Sequence, residues 1–397
     1  MKKFRLGLLP RILIAIVLGI AVGLFLPLPA VRIFTTFNGI FGNFLQFLIP
    51  LIIVGLVTPA IAGIESGAGK LLLVTVIVAY LDTVCAGLFS YLTSVSVFPG
   101  LIHGGSVADI AEKASGTEPY FTISIPPMMD VMTSLVFAFL LGLGMAFFRS
   151  ETLMKVADEF KDIISKTIEK AIIPLLPVYI FGIFLEMTET GQAFKVLKVF
   201  IAIIGVIFVM HILVLIFQYC VAGAFVKKNP FKLLGNMMPA YFTALGTSSS
   251  AATIPVSLEQ TKKNGVSDEI AGFTIPLCAT IHLSGSTLKI VACSVALMMM
   301  QGMPFNFGMF FGFILMLGVM MVAAPGVPGG AIMAALGILG SMLGFGEQEQ
   351  ALMIALYITM DSFGTACNVT GDGALALFLT GYVEKHNIAQ QKIDLDL

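Results

Sequence analysis

A stripe of polar residues interrupts the last long apolar run of this chain. Its members stand at helical offsets of 0, 3, 4, 7 and 11: Asp361, Gly364, Thr365, Asn368 and Asp372. At about 100° per residue these offsets share one side of a helix. The surrounding apolar run, about residues 351–383, is long enough to cross a bilayer. Carboxylates and amides are costly at that depth, so the stripe predicts a site for a polar solute or a cation.

The composition identifies the environment of this stripe. The 397 residues are 58% hydrophobic and 11% charged, and the mean hydropathy of +0.99 is far above that of a soluble domain. Short segments of alternating polarity, typical of membrane β-barrels, are lacking. We therefore predict an all-α polytopic membrane protein. Eight transmembrane helices are expected from apolar runs at about 12–28, 40–62, 70–98, 129–148, 163–187, 196–225, 269–301 and 349–382.

Basic residues indicate the orientation in the cell membrane. Four of them precede the first apolar run, so the positive-inside rule places the N-terminus in the cytoplasm, and eight spans return the C-terminus there. A net charge of −1 without a basic patch argues against a nucleic-acid partner. The five cysteines form no C-x-x-C pair, and no cofactor is expected.

Two segments in the last 170 residues have the pattern of re-entrant hairpins. The first, 230–264, places the polar tract Thr247–Ser250 between two apolar stretches that are each too short to span a bilayer. The second, 305–344, is interrupted by Pro325–Gly330. Irregular backbone at membrane depth is tolerated where it lines a cavity, so both tips are predicted to meet at the site. A further polar break, 282–286, interrupts the seventh span.

Four motifs stand in these segments in the following order: Ser248-Ser249-Ser250 with Thr253-Ile254-Pro255, His282-Leu283-Ser284-Gly285-Ser286, Val327-Pro328-Gly329, and Asn368-Val369-Thr370-Gly371-Asp372. In order and spacing they resemble the dicarboxylate/amino acid:cation symporter family, the glutamate transporter homologues. The resemblance is strong over 230–384, and the predicted number of spans extends it to nearly the whole chain. It implies a secondary transporter and not an enzyme.

The resemblance also implies an architecture and an assembly. An elevator-type transporter of this family combines a scaffold, here about 12–62 and 129–187, with a moving transport domain, here about 70–98 and 194–384. The second hairpin would be the extracellular gate. The family resemblance implies a homotrimer in the lipid bilayer.

The motifs imply a set of substrate-binding residues: Ser248, Ser249, Ser250, Ser286, Val327, Asp361, Gly364, Thr365 and Asn368. Asp361 matches the family carboxylate that binds the α-ammonium group of the substrate. Asn368 matches the amide that meets the α-carboxylate. Members with acidic substrates carry an arginine at the position of Gly364 or of Thr247, and no arginine follows Arg149 here. We therefore expect a neutral amino acid and an enlarged pocket beside Gly364; a dicarboxylate or an acidic amino acid is the alternative.

The resemblance also places a set of cation-binding or coupling residues: Tyr80, Thr83, Cys278, His282, Ser284, Asn368 and Asp372. Na⁺ is expected at Asn368 and Asp372. His282 and Ser284 stand where the family has an asparagine and an aspartate, and a histidine titrates near neutral pH. Coupling to Na⁺ is therefore expected, and coupling to H⁺ or cation-independent exchange is the alternative.

Two charges, Asp82 and Lys289, stand where the family pattern has none. Lys289 could replace a bound sodium ion, or it could pair with Asp82 or Asp372. His211 is expected to be a packing residue. A passive channel is the main rival to a transporter. An intramembrane aspartyl protease is a remote alternative. The two aspartates of its dyad must lie about 3 Å apart, whereas Asp361 and Asp372 are eleven residues apart on one predicted helix.

Overall fold

The computed structural model of the chain describes residues 7–65, 70–102, 117–191, 193–324 and 328–385. All regular elements among them are helical, which agrees with the predicted all-α class. The helices up to residue 226 are α1 (Leu8–Gly23), α2 (Leu28–Glu65), α3 (Lys70–Val97), α4 (Val131–Phe148), α5 (Glu151–Thr167), α6 (Ile173–Glu189) and α7 (Ala193–Val226). A π-helical turn, Ile168–Ile172, joins α5 to α6 without a break.

The rest of the chain forms shorter helices. They are α8 (Pro230–Asn236), α9 (Met238–Thr247), α10 (Ser250–Lys263), α11 (Asp268–Ile281), α12 (Ser284–Gln301), α13 (Phe307–Ala323), α14 (Gly330–Leu343), α15 (Glu347–Thr359) and α16 (Asp361–Lys385). Gly302 and Gly344, both in the left-handed conformation, follow the last residues of α12 and α14 and end these helices.

The number of membrane spans is only partly supported by helix length. Among the described residues, six helices are long and apolar enough to cross a membrane, and the bent pair α15–α16 would be a seventh. The remaining predicted span is α1, whose 16 residues are apolar but fall short of the usual length. The count of eight therefore stays a prediction.

Both predicted hairpins contain a pair of helices that pack against each other. In the first, α9 and α10 meet at Ser248, whose left-handed φ of +50° reverses the chain. The side chain of Ser249 then caps α10 by accepting a hydrogen bond from the N–H of Ala252. In the second, α13 and α14 pack against each other, while residues 325–327 at the tip lie outside the described part. That the hairpins re-enter the membrane remains a prediction.

The last span is not one continuous helix. The axes of α15 and α16 differ by 62°, and the break falls at Met360. Asp361 is therefore the first residue of α16 and not a residue in the middle of a helix. An acid in the first turn is favourable because the unpaired N–H groups and the helix dipole are positive there. The polar pair Asp361-Ser362 was a signal for this helix start.

The helices pack in two groups. In one group, α2 packs against α4, α5 and α6, and α1 packs against α6. In the other, α16 packs against α7, α9, α10, α11 and α12. The helices α12, α14 and α16 are buried on nearly every side. The first group contains helices of the predicted scaffold and the second contains helices of the predicted transport domain. The division of the chain into a scaffold and a moving domain stays a prediction.

Candidate substrate and cation site

The two broken spans place their helix starts side by side. The chain between α11 and α12 is non-helical only at His282 and Leu283. Asn368, on α16, satisfies the start of α12: its Oδ1 accepts hydrogen bonds from the N–H groups of Gly285, at 2.8 Å, and Ser286, at 3.3 Å. Because the first N–H groups of a helix have no partner within it, this side chain stabilises the break.

A cavity lies beside these helix starts, next to the tip of the first hairpin. It brings together six of the predicted substrate-binding residues: Ser248, Ser250, Ser286, Asp361, Thr365 and Asn368. Tyr357 also lines it, and its hydroxyl lies 2.9 Å from the Oγ of Ser286. The lining offers hydroxyl, amide and carboxylate groups, which suit a small polar solute.

Of the other predicted substrate-binding residues, the two that the structure describes, Ser249 and Gly364, do not line this cavity. Ser249 uses its side chain as the cap of α10. Gly364 lies behind the cavity, against Lys289. Val327 is outside the described residues. The binding roles of the whole set stay predictions.

Lys289 is paired with Asp361, and not with Asp82 or Asp372 as the sequence suggested. Its Nζ lies 3.2 Å from the Oδ1 of Asp361, and the side chain is fully buried. The ammonium also lies 3.5 Å from the centre of the Tyr357 ring. At this separation and an effective dielectric constant of about 20, two unit charges attract by about 5 kcal/mol.

Gly364 is the residue that allows this pair to form. A Cβ atom at this position would lie 2.6 Å from the Nζ of Lys289 and 2.8 Å from its Cε. The expected enlargement of the pocket beside Gly364 is therefore wrong, because a lysine from α12 fills that space. The missing arginine predicted free space beside Gly364, but the ammonium group of Lys289 occupies it from another helix.

Asp361 also joins α16 to the second hairpin. Its Oδ2 accepts a hydrogen bond of 3.0 Å from the N–H of Gly329, next to the tip. The hydroxyl of Thr365 donates to the backbone carbonyl of Asp361 one turn earlier in the same helix. Both oxygens of the carboxylate therefore accept hydrogen bonds from the protein.

A second network is centred on His282, at the break between α11 and α12. Its Nδ1 lies 2.9 Å from the Oδ1 of Asp372, and its Nε2 lies 2.7 Å from the Oδ2 of Asp82. The ring is fully buried, whereas the side chain of Asp82 is 18% exposed. A neutral imidazole carries one N–H, so both contacts are hydrogen bonds only if the ring or a carboxylate holds an additional proton. This arrangement can hold one proton between two carboxylates.

Gln218 of α7 completes this network. Its amide donates to the Oδ2 of Asp82 at 2.6 Å and to the Oγ of Ser284 at 3.2 Å. Gly371 makes room for it, since a Cβ there would lie 2.8 Å from Oε1 of Gln218 and 3.0 Å from the ring of His282. Gln218 and Tyr357 are not among the site residues predicted from the sequence. Each is a polar group inside an apolar run, and that was the available signal.

Three of the predicted cation residues are engaged elsewhere. The hydroxyl of Tyr80 donates to the carbonyl of Leu315 on α13, and that of Thr83 donates within α3. Cys278 is buried in a small apolar cluster. His211, expected to be a packing residue, lies with Nε2 3.0 Å from the carbonyl oxygen of Gly285. Of the predicted set, His282, Asp372 and Ser284 therefore share one hydrogen-bond network with Asp82 and Gln218, whereas Asn368 binds the start of α12.

Comparison with known proteins gives a consistent result along the chain. A family model described as the sodium:dicarboxylate symporter family matches residues 8–381. A serine/threonine transporter SstT of Acinetobacter baumannii is 26% identical over 388 residues, covering 93% of this chain and 95% of the relative. An excitatory amino acid transporter of Caenorhabditis elegans is 25% identical over 291 residues, which are 70% of this chain and 56% of the relative. The neutral amino acid transporter B(0) of Rattus norvegicus is 27% identical over 275 residues, or 67% of this chain and 49% of the relative.

Proposed function

We propose that this chain, which belongs to the sodium:dicarboxylate symporter family, is a secondary transporter of a small carboxylate-bearing solute. Members of the family are multi-pass membrane transporters and not enzymes, which removes the protease alternative. The solute is an amino acid or a close analogue of one, because the relatives are named for serine and threonine, for excitatory amino acids and for neutral amino acids.

The solute carries no second carboxylate. An acidic side chain needs a cation in the site, and arginine is absent after Arg149. The buried cation closest to the cavity is Lys289, whose charge is already compensated by Asp361 at 3.2 Å. A second carboxylate would lose its hydration without gaining an ion pair.

The coupling ion is a proton held at His282. The observation that carries this proposal is the contact of both ring nitrogens with carboxylates, those of Asp82 and Asp372. The family description names sodium, but the side-chain oxygens predicted to bind it face hydrogen-bond donors here. The Oδ1 of Asn368 accepts two backbone N–H groups, and the Oδ1 of Asp372 faces His282. A sodium ion would have to displace these donors to reach both oxygens.

The mechanism is the elevator movement of the family. The transport domain, 70–98 and 194–384, moves against a scaffold of 12–62 and 129–187, and the second hairpin acts as the gate. The scaffolds of three copies form a homotrimer, with both termini of each chain in the cytoplasm. The hydrogen bond from Gly329 to Asp361 supports a gate that responds to the site.

Uptake into proteoliposomes tests the coupling. Labelled serine and labelled glycerate are offered under a pH gradient alone and under a Na⁺ gradient alone. We expect accumulation with the pH gradient only. Accumulation with the Na⁺ gradient only would replace the proton by sodium, and exchange that ignores both gradients would refute coupling.

A pair of variants locates the coupling residue. His282→Gln removes the group shared by the two carboxylates, so we expect it to abolish pH-driven accumulation while solute counterflow persists. The control is Asp268→Asn, which changes a carboxylate that is 84% exposed at the surface. Full pH-driven accumulation by the His282 variant would contradict the proposal.

A further inference from the structure

The pairing of Lys289 with Asp361 bears on which solute the site selects. This step rests on the proposed function, since it names the substrate class of the same cavity. The family carboxylate that Asp361 matches binds the α-ammonium group of an amino acid. Here an ammonium group of the protein itself already lies 3.2 Å from that carboxylate. We infer that Lys289 acts as a built-in ammonium group, so that the site takes small 2-hydroxy carboxylates in preference to the 2-amino carboxylates of the same size.

The positions of the atoms leave little for a second ammonium group to gain. One oxygen of Asp361 faces Lys289 and the other accepts the N–H of Gly329. An incoming ammonium group would compete with both donors and would meet the positive charge of Lys289 in a buried setting. It would also lose its hydration on entry. Lys289 cannot easily withdraw, because it is packed against the ring of Tyr357 and the backbone of Gly364.

A hydroxyl group does not have this problem. It carries no charge to desolvate, and it can donate one hydrogen bond to a carboxylate oxygen that already accepts another. The carboxylate end of the solute meets the polar lining formed by Ser248, Ser250 and the amide group of Asn368. That amide donates to the Oγ of Ser286 at 3.2 Å and has a second N–H for a ligand. The cavity thus recognises the carboxylate and the 2-hydroxyl group without requiring a charge at the second position.

The role is specific to the place of Lys289 and not to buried charge in general. Lys289 is fully buried and lies directly behind a residue that lines the cavity, whereas Lys262 pairs with Asp268 at the surface. Gly364 is the counterpart on α16, because any larger residue there would push the ammonium group away from Asp361. Together these two positions decide what the carboxylate of Asp361 can bind.

The test compares solutes that differ only in the group at the second carbon. Serine is paired with glycerate, and alanine with lactate, each pair in matched configuration. Dissociation constants are measured on the purified full-length protein by calorimetry and, independently, by competition for counterflow in proteoliposomes. For the wild-type protein we expect each hydroxy acid to bind more tightly than its amino acid. Binding of serine by the wild-type protein as tight as that of glycerate, or tighter, would overturn the inference.

Variants show whether Lys289 is the cause. Lys289→Met should shift the ratio of the two dissociation constants by at least tenfold toward the amino acid, because Asp361 is then free to bind an ammonium group. Lys289→Met with Asp361→Asn should lose that shift, and this double variant keeps the test valid if the single variant folds poorly. Lys262→Met is the surface control and should leave the ratio unchanged. An unchanged ratio in a folded Lys289→Met protein would also overturn the inference.

The outcomes separate this inference from the proposed function. Binding of serine and alanine without binding of the hydroxy acids would refute the inference and leave the transport proposal intact. Failure of all four solutes to bind or to exchange would refute both the carboxylate solute and the inference.

Discussion

Breaking the buried pair of Lys289 and Asp361 should destabilise the protein far more than breaking a surface pair of the same length. The two Nζ–Oδ1 distances are nearly equal, 3.2 Å for the buried pair and 3.0 Å for Lys262 and Asp268. The exposure differs strongly, since Lys262 and Asp268 have 42% and 84% of their side-chain surface accessible. The chain therefore contains its own matched control for the effect of burial.

The magnitudes follow from desolvation. Lys289→Met leaves the carboxylate of Asp361 buried without a compensating positive charge, although the N–H of Gly329 still donates to it, and such a change costs about 3–5 kcal/mol. Asp361→Asn leaves a buried lysine ammonium and should cost a similar amount. The double variant removes both charges, so most of the loss should be recovered. The same cycle on Lys262 and Asp268 should give a coupling of about 0–1 kcal/mol, because water screens the pair.

Equilibrium unfolding of the detergent-solubilised protein measures both cycles, with helicity and one tertiary probe followed in parallel. We expect a coupling energy of about 2 kcal/mol or more for the buried pair, and at most about 1 kcal/mol for the surface pair. Equal coupling in the two cycles would refute the reasoning, because it would mean that water reaches Lys289. Added salt should weaken the surface coupling and leave the buried one nearly unchanged.

Two further changes test how α16 supports the site. Asn368→Ala removes the acceptor for two backbone N–H groups at the start of α12. It should lower the free energy of unfolding by about 1–3 kcal/mol for each group left unpaired. An unchanged stability would show that these groups have other partners. Gly364→Ala places a methyl group 2.6 Å from the Nζ of Lys289 and should cost about 1–3 kcal/mol. Gly205→Ala in α7 is its control, because nothing lies within 4 Å and alanine favours a helix there; a neutral result at Gly364 would contradict the close approach of Lys289.

The hairpins could be predicted because local chemistry determines them. Serine before a helix caps it, and a run of proline and glycine ends one, so Thr247–Ser250 and Pro325–Gly330 marked the interruptions without knowledge of the fold. The polar break at His282 was visible for the same reason. The bend at Met360 falls where the polar stripe begins, at Asp361-Ser362, but its angle of 62° could not be predicted because the apolar run continues through it.

The partners of the buried charges could not be predicted from spacing. Lys289 is 72 residues from Asp361, and His282 is 200 residues from Asp82 and 90 from Asp372. Helical periodicity orders residues within one helix and contains no information on the rotation or depth of another. Gln218 and Tyr357 each stand out as a polar group inside an apolar run, but their partners lie on other helices and could not be predicted for the same reason.

The sequence by itself determined an all-helical membrane protein with two interrupted hairpins, and the motif positions that place it in a transporter family. Those properties depend on composition and on neighbours within a few residues. Only the tertiary structure decided that an ammonium group of the protein lies at Asp361 and an imidazole lies between Asp82 and Asp372. The reason is that a charge buried at low dielectric must be compensated within about 4 Å, and the packing of whole helices determines which group is that close.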